Sequence, residues 1–126
     1  MGAFFSSSRA PAEEEGTSLV LTFHNSSDWR SHFEANKSSK QLIVVDFSAS
    51  WCGPCRIIEP FVKELANKFS DVKFLKIDVD ELPDVSQEWG VQAMPTFVLI
   101  KEGKLVDKVV GPDKRELEKK VEKNRV

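Results

Sequence analysis

The apolar positions of this chain change their period several times, and each change marks an element. LIVVDFS (42–48) opens on an unbroken aliphatic run, Leu42 to Val45. A strand without alternation is one covered on both faces, so this segment is expected at the centre of a sheet flanked by helices. SLVLTF (18–23) reads as an earlier strand. SSDWRSHFEANKSS (26–39) reads as a helix capped by Ser26 or Ser27, with Trp29, His32 and Phe33 on one face. Beyond WCGPC (51–55), the apolar residues Ile57, Ile58, Phe61, Leu65 and Phe69 take helical spacing. That predicts a helix starting at Pro54 and bent, not abolished, by Pro60.

Four further segments complete the pattern. VKFLKIDV (72–79) is a predicted strand, and LPDVSQEWG (82–90) a short helix ended by Gly90. TFVLIK (96–101) and LVDKVV (105–110) form a predicted hairpin across Glu102, Gly103 and Lys104. DKRELEKKVEKN (113–124) closes the chain as an amphipathic helix presenting Leu117 and Val121. The order implies an α/β fold, with a central mixed β-sheet flanked by helices on both faces. Its first half is expected to be parallel and its end an antiparallel hairpin.

Residues 1–16 show no apolar periodicity and combine Gly, Ser, Pro and a Glu triplet. They are expected to be a mobile N-terminal extension, with the folded domain running over 17–126. The opening residues lack the apolar stretch of a secretory signal, and Glu13 to Glu15 leave little room for a transit peptide. With 18 basic against 20 acidic residues and no basic stripe, the electrostatic footprint of nucleic-acid binding is absent. No run approaches the roughly 20 apolar residues of a spanning helix. A chain this long buries a core unaided, so its two cysteines are not needed as a scaffold. A reducing, cytoplasmic setting is the expectation, and there a cysteine pair points to catalysis or metal binding.

Two cysteines placed at random in such a chain fall three apart in roughly 1 of 64 cases. Here Cys52 and Cys55 also sit where a buried strand runs into a helix. Cys52 is thus expected beside unsatisfied N–H groups at the positive end of the helix dipole, a position that favours a thiolate. The dipole contributes about 0.3 to 1 kcal/mol, well under one pKa unit, so hydrogen bonds from the N–H groups of Gly53 to Cys55, or from the Cys55 thiol, are expected to add the rest. Pro54 stiffens the loop without removing a needed donor. Zinc is disfavoured, and no metal is expected, because His24 and His32 lie upstream at no usual ligand spacing. A permanent structural disulfide would close too small a loop to constrain the unfolded chain.

VVDFSASWCGPCRIIEPF, followed about forty residues on by MPTFVLIKEGK, resembles the thioredoxins, and among them the cytosolic h-type of plants. The likeness spans about residues 17 to 126. It implies a thioredoxin fold and a protein-disulfide reductase in which Cys52 attacks and Cys55 resolves, the pair cycling between dithiol and disulfide. Trp51, Gly53 and Pro54 border the site, and Gly53 and Pro54 help set its potential. The resemblance further implies no bound cofactor, disulfide-containing target proteins as partners, and electrons from NADPH through a flavin-containing thioredoxin reductase. It places a cis-proline at Pro95 facing the disulfide. Met94 then offers its backbone to an extended target segment, and Ala93 and Gly111 complete a shallow rim. An oxidase or isomerase is disfavoured by Gly-Pro between the cysteines, and a holdase without turnover stands as the rival from another class.

Asp46 interrupts the apolar run of its strand, where an ionised carboxylate is expensive unless partnered or protonated. Its pKa is expected to rise toward neutrality, which suits a proton acceptor. The resemblance implies that this residue helps deprotonate the resolving thiol. Many bacterial relatives place a lysine beside it. Aligning on Ile77 and Asp78 puts Phe74 at the corresponding position, leaving that lysine without a counterpart there. Trp29, Phe33 and Trp89 read as packing, and His24 and His32 as surface groups. Separately, Met1, Gly2 and Ser6 satisfy the N-myristoylation pattern, with Gly2 as acceptor. One such chain gives only weak, reversible membrane association.

Overall fold

Ile43–Ser48 forms a strand in which all six residues are buried, and it is the spine of the sheet. The computed structural model describes residues 18–126; the extension expected over 1–16, the start of the domain at Thr17 and the acylation motif lie outside them. In chain order the described elements are β1 (Val20–Phe23), α1 (Ser26–Asn36), β2 (Ile43–Ser48), α2 (Gly53–Lys68) and β3 (Lys73–Asp78). They continue as α3 (Pro83–Glu88), β4 (Thr96–Lys101), β5 (Lys104–Val110) and α4 (Lys114–Asn124). The sheet order is β1-β3-β2-β4-β5. β3 runs parallel to both β1 and β2, whereas β4 runs antiparallel to β2 and β5. The expected mixed sheet, parallel first and closed by a hairpin, is what forms.

The unbroken apolar run of β2 now has its cause. Val44 joins the core cluster of one face with Ile58, Val62 and Leu65 of α2 and Leu117 and Val121 of α4. Ile43, Val45 and Phe47 join the cluster of the other face with Trp29 of α1 and Val85 of α3. Trp29 is buried and meets Phe23 edge-on with centroids 5.8 Å apart, and Phe33 likewise meets a half-buried Trp89 edge-on. These aromatic residues are packing, as expected. His32 is half-buried against Phe23, so it is less of a surface group than its position suggests; burial, and then Lys73, hold its pKa below the usual value.

The boundaries of α1 and the turn of the β4–β5 hairpin differ from expectation. The cap of α1 is Asn25, whose Oδ1 accepts the Asp28 N–H at 2.8 Å. Ser26 lies inside the helix and donates instead to Asp84 at 2.7 Å. α1 also stops at Asn36, short of Ser39. The β4–β5 hairpin turns on two residues, since Lys104 already pairs with Lys101. Glu102 and Gly103 both have positive φ, 53° and 74°, the twist that joins antiparallel strands tightly. Gly103 is doubly required, because a Cβ there would lie 3.1 Å from the Lys37 carbonyl oxygen.

The cap assignment is testable by urea denaturation. Asn25→Ala should lower stability by about 1 kcal/mol, while Ser27→Ala should change it by less than about 0.5 kcal/mol. Equal losses would return the cap to the serines.

Candidate active site

β2 ends at Ser48, and the chain crosses Ala49 to Trp51 before α2 begins at Gly53, one residue earlier than the sequence suggests. Cys52 is the N-cap. Its Sγ accepts the backbone N–H of Cys55 at 3.2 Å, and Pro54 occupies the first turn, where no N–H is missed. Of the donors expected from Gly53 to Cys55, Cys55 is the one that bonds the sulfur. The two cysteines are joined as a disulfide with Cα atoms 5.3 Å apart, and both are buried, with Ala49 packed beside them.

A loop at the same end of the sheet, just before β4, meets them. The Met94–Pro95 peptide is cis, and the Met94 carbonyl oxygen lies 3.7 Å from Cys52 Sγ. Pro95 is buried, Met94 half-buried and Ala93 exposed. The Gly111 N–H donates to the Pro95 carbonyl at 2.8 Å, tying this loop to the end of β5. Gly111 takes φ +98°, a conformation that side chains rarely adopt. Trp51 is 64% exposed at the opposite lip, its ring held by a hydrogen bond from Nε1 to Asp80 at 2.8 Å. The structure thus brings Trp51, Cys52, Gly53, Pro54, Cys55, Ala93, Met94, Pro95 and Gly111 to one end of the sheet.

Three residues of this surface escape a reading of the sequence. Asp80 anchors Trp51 across 29 positions, a pairing no local pattern announces. Ile57 and Val110 are 73% and 59% exposed, one on the first turns of α2 and the other just before Gly111. Apolar residues left uncovered beside a reactive pair extend the rim. Their spacing resembles core positions, so only the fold reveals their exposure.

Asp46 lies on the α2-facing side of β2, and its Oδ1 is buried with no hydrogen-bond partner among the described residues. Burial pushes its carboxyl up to about 7; Lys76 pulls it back down and Glu59 pushes it up. The alignment argument from Phe74 therefore misses a lysine. Lys76, two residues along and on the same face of β3, pairs in register with Asp46. Its Nζ bonds Glu59 Oε2 on α2 at 2.8 Å. Strand alternation was the available signal: a side chain two positions away projects to the same side.

This geometry joins a disulfide at a helix N-terminus to a cis-proline and a buried carboxylate. The thioredoxin family profile matches residues 20–123. The chain is 57% identical over 116 residues to thioredoxin H2 of Arabidopsis thaliana, covering 92% of this chain and 87% of that protein. It is 54% identical over 125 residues to thioredoxin H2-2 of Oryza sativa subsp. japonica, covering 96% and 93%. The crystal structure of the thioredoxin NaTrxh from Nicotiana alata superposes with a TM-score of 0.85 at 53% identity, covering 95% of this chain and 99% of that one. The chain belongs to the thioredoxin family, with its greatest likeness here to h-type members. It is a thiol-disulfide oxidoreductase that reduces protein disulfides by exchange through Cys52 and Cys55.

Burial of Asp46 makes stability depend on pH. In the unfolded chain the carboxyl titrates near 3.8, whereas in the native protein it titrates at about 7. Below pH 4 both states hold the proton and the residue is neutral to stability. As pH rises from about 4 to about 7 only the unfolded state loses it, and stability falls, reaching a penalty on the order of 4 kcal/mol above pH 7. Asp46→Asn should therefore be the more stable protein at pH 8, and the gap should close by pH 4. Denaturant titrations at several pH values check this; a less stable variant at pH 8 would make Asp46 a structural partner.

Proposed function

We propose that Cys52 attacks the target disulfide, Cys55 resolves the mixed disulfide and Asp46 accepts the Cys55 proton. The observation that carries the assignment is the capping bond from the Cys55 N–H to Cys52 Sγ at the start of α2. A sulfur bearing negative charge there gains both a donor and the helix dipole, while Cys55 lies one turn inside the helix. The Cys52 thiolate displaces one target sulfur, which leaves as a thiol after taking a proton. Asp46 then takes the Cys55 proton, and the Cys55 thiolate attacks Cys52 Sγ. The second target sulfur leaves, two electrons having passed from the dithiol to the target.

Trp51, Ile57, Ala93, Met94, Val110 and Gly111 receive the target. The Met94 backbone pairs with an extended segment next to its disulfide, as an added strand would. The small residues Ala93 and Gly111 leave room for that backbone, and Gly53 and Pro54 set the potential of the pair through the loop. Thioredoxin reductase, using flavin and NADPH, returns the electrons, and disulfide-bearing proteins consume them. The named h-type relatives support this assignment of partners and a cytoplasmic setting.

The residues before Thr17 are, in this reading, an extension outside the domain that carries a second signal. Gly2 follows Met1 and precedes Ser6 in the acylation pattern, and a single myristoyl chain there gives weak and reversible membrane association. The match to the rice relative covers 96% of the chain, so it runs back into this extension.

Two measurements test these roles. Cys55→Ser should accumulate targets as dithiothreitol-sensitive covalent adducts, and Cys52→Ser should trap almost none; the reverse outcome would exchange the two cysteines. For the extension, intact mass from the native cell should show an added myristoyl group, and Gly2→Ala should move the membrane fraction into the soluble one with disulfide reduction unchanged. An unmodified mass would make the motif a chance match.

A further inference from the structure

The two helical layers differ in charge. α2 and α4, which cover one face of the sheet, together hold eight Lys and Arg against five Glu. α1 and α3, which cover the other, hold Arg30 against Asp28, Glu34, Asp84 and Glu88. Within the cationic layer Lys68 pairs with Glu118, and Lys120 with Asp107 and Glu116. Lys114, Arg115, Lys119 and Lys123 of α4 are all exposed and form no ion pair among the described residues. Arg115, Lys119 and Lys123 recur every four residues, on the side of α4 turned away from the buried Leu117 and Val121. Lys114 stands beside that row, 5.7 Å from the centroid of the Phe61 ring in the shallow groove between α2 and α4. Glu122 is the carboxylate interleaved with them.

We propose that the outer face of α4, with Arg115, Lys119 and Lys123 at its centre and Lys114 beside them, docks on an anionic bilayer surface as the second membrane signal of an acylated chain. The inference rests on the reading of Gly2 as acyl acceptor and adds which face of the domain meets the lipid. A single acyl chain holds a protein to a bilayer only marginally, and stable anchoring takes a second signal such as a basic patch. The residues before Thr17 do not supply one, since they hold Arg9 against Glu13, Glu14 and Glu15. The cations must come from the domain, and α4 presents them. Ser18, the first described residue, lines the cavity between β1, β3 and α2 together with Asp46, Val62 and Lys63, so the preceding chain joins the domain on the α2 side. Gly2 stands sixteen residues before Ser18, a reach of at most roughly 55 Å. In this orientation the acidic α1 and α3 layer points to water, away from lipid of like charge. The disulfide opens at the end of the sheet, at the start of α2, and its rim stays accessible to target proteins at the membrane surface.

The test is vesicle sedimentation of the full chain, acylated at Gly2 by a co-expressed N-myristoyltransferase. One vesicle is phosphatidylcholine alone, and the other is phosphatidylcholine with about 30% phosphatidylserine. Each Lys or Arg near such a surface strengthens binding about fivefold, so the parent should prefer the anionic vesicle and lose that preference as salt rises. The triple variant Arg115→Gln, Lys119→Gln, Lys123→Gln should bind the anionic vesicle on the order of 100-fold less tightly. It should keep the parent's binding to phosphatidylcholine and reduce insulin at the parent's rate. A second triple variant, Lys37→Gln, Lys40→Gln, Lys104→Gln, removes the same charge from exposed positions outside the α2 and α4 layer and should keep most of the preference. Equal losses in the two variants would make net charge, and not this face, the attraction, and would overturn the proposal. An acylated parent that binds both vesicles equally overturns it too, and leaves the cationic row to an acidic protein. The reading beneath fails separately: Gly2 unmodified in the native cell removes the anchor and the docking with it, whereas an acylated native protein without the preference sinks the docking alone.

Discussion

The burial of β2 on both faces is the constraint on which the rest depends. A strand with parallel β3 on one side, antiparallel β4 on the other and helices above and below has no exposed surface at which its position could drift. Its end is therefore a fixed point, and the chain leaving it must turn within a few residues into α2. Cys52 acquires its capping position from that geometry, before any chemistry is considered. The cis-proline loop reaches the same point because β4 is the other neighbour of β2 and begins one residue after Pro95.

The same burial creates the tension at Asp46. A hydrophobic residue would hold the strand better, since a desolvated carboxylate opposes folding above neutral pH. What is lost in stability is gained in basicity: the desolvation that raises the pKa leaves a group able to exchange protons near pH 7. Such a group is of use only if its ionised form remains reachable. Lys76, the register partner of Asp46, lowers that pKa, and Glu59, to which its Nζ bonds, raises it.

Periodicity was enough to read nearly every element, because β2, α2 and α4 each bury a face whose spacing is visible in one dimension. The cysteine pair, Pro95 and Asp46 were legible too, each a residue type that its local pattern does not require. The cap of α1 was misread because Asn25, Ser26 and Ser27 are all good caps and only the backbone entering the helix selects one. Lys76 was missed for a different reason. An alignment compares positions along a strand, whereas the charge needs only the correct face, and a displacement of two residues preserves it. Asp80, Ile57 and Val110 depend on contacts between distant segments and left no local trace.

Those distant contacts also divide the molecule into two working sides. The proposed target surface lies where β4, β5 and the first turn of α2 converge, around Met94, Gly111 and Trp51. The cavity beside Asp46 opens across β2 from it, between β3 and the outer strand β1. On the reading proposed above, a docked target covers the sulfur atoms and leaves that cavity free. The thiol proton can then depart on the side away from the target while the mixed disulfide stays sealed. With Asp46 as the proposed base, placing it behind the disulfide, and not beside it on the rim, allows one shallow surface to be both dry during exchange and indifferent to which protein covers it.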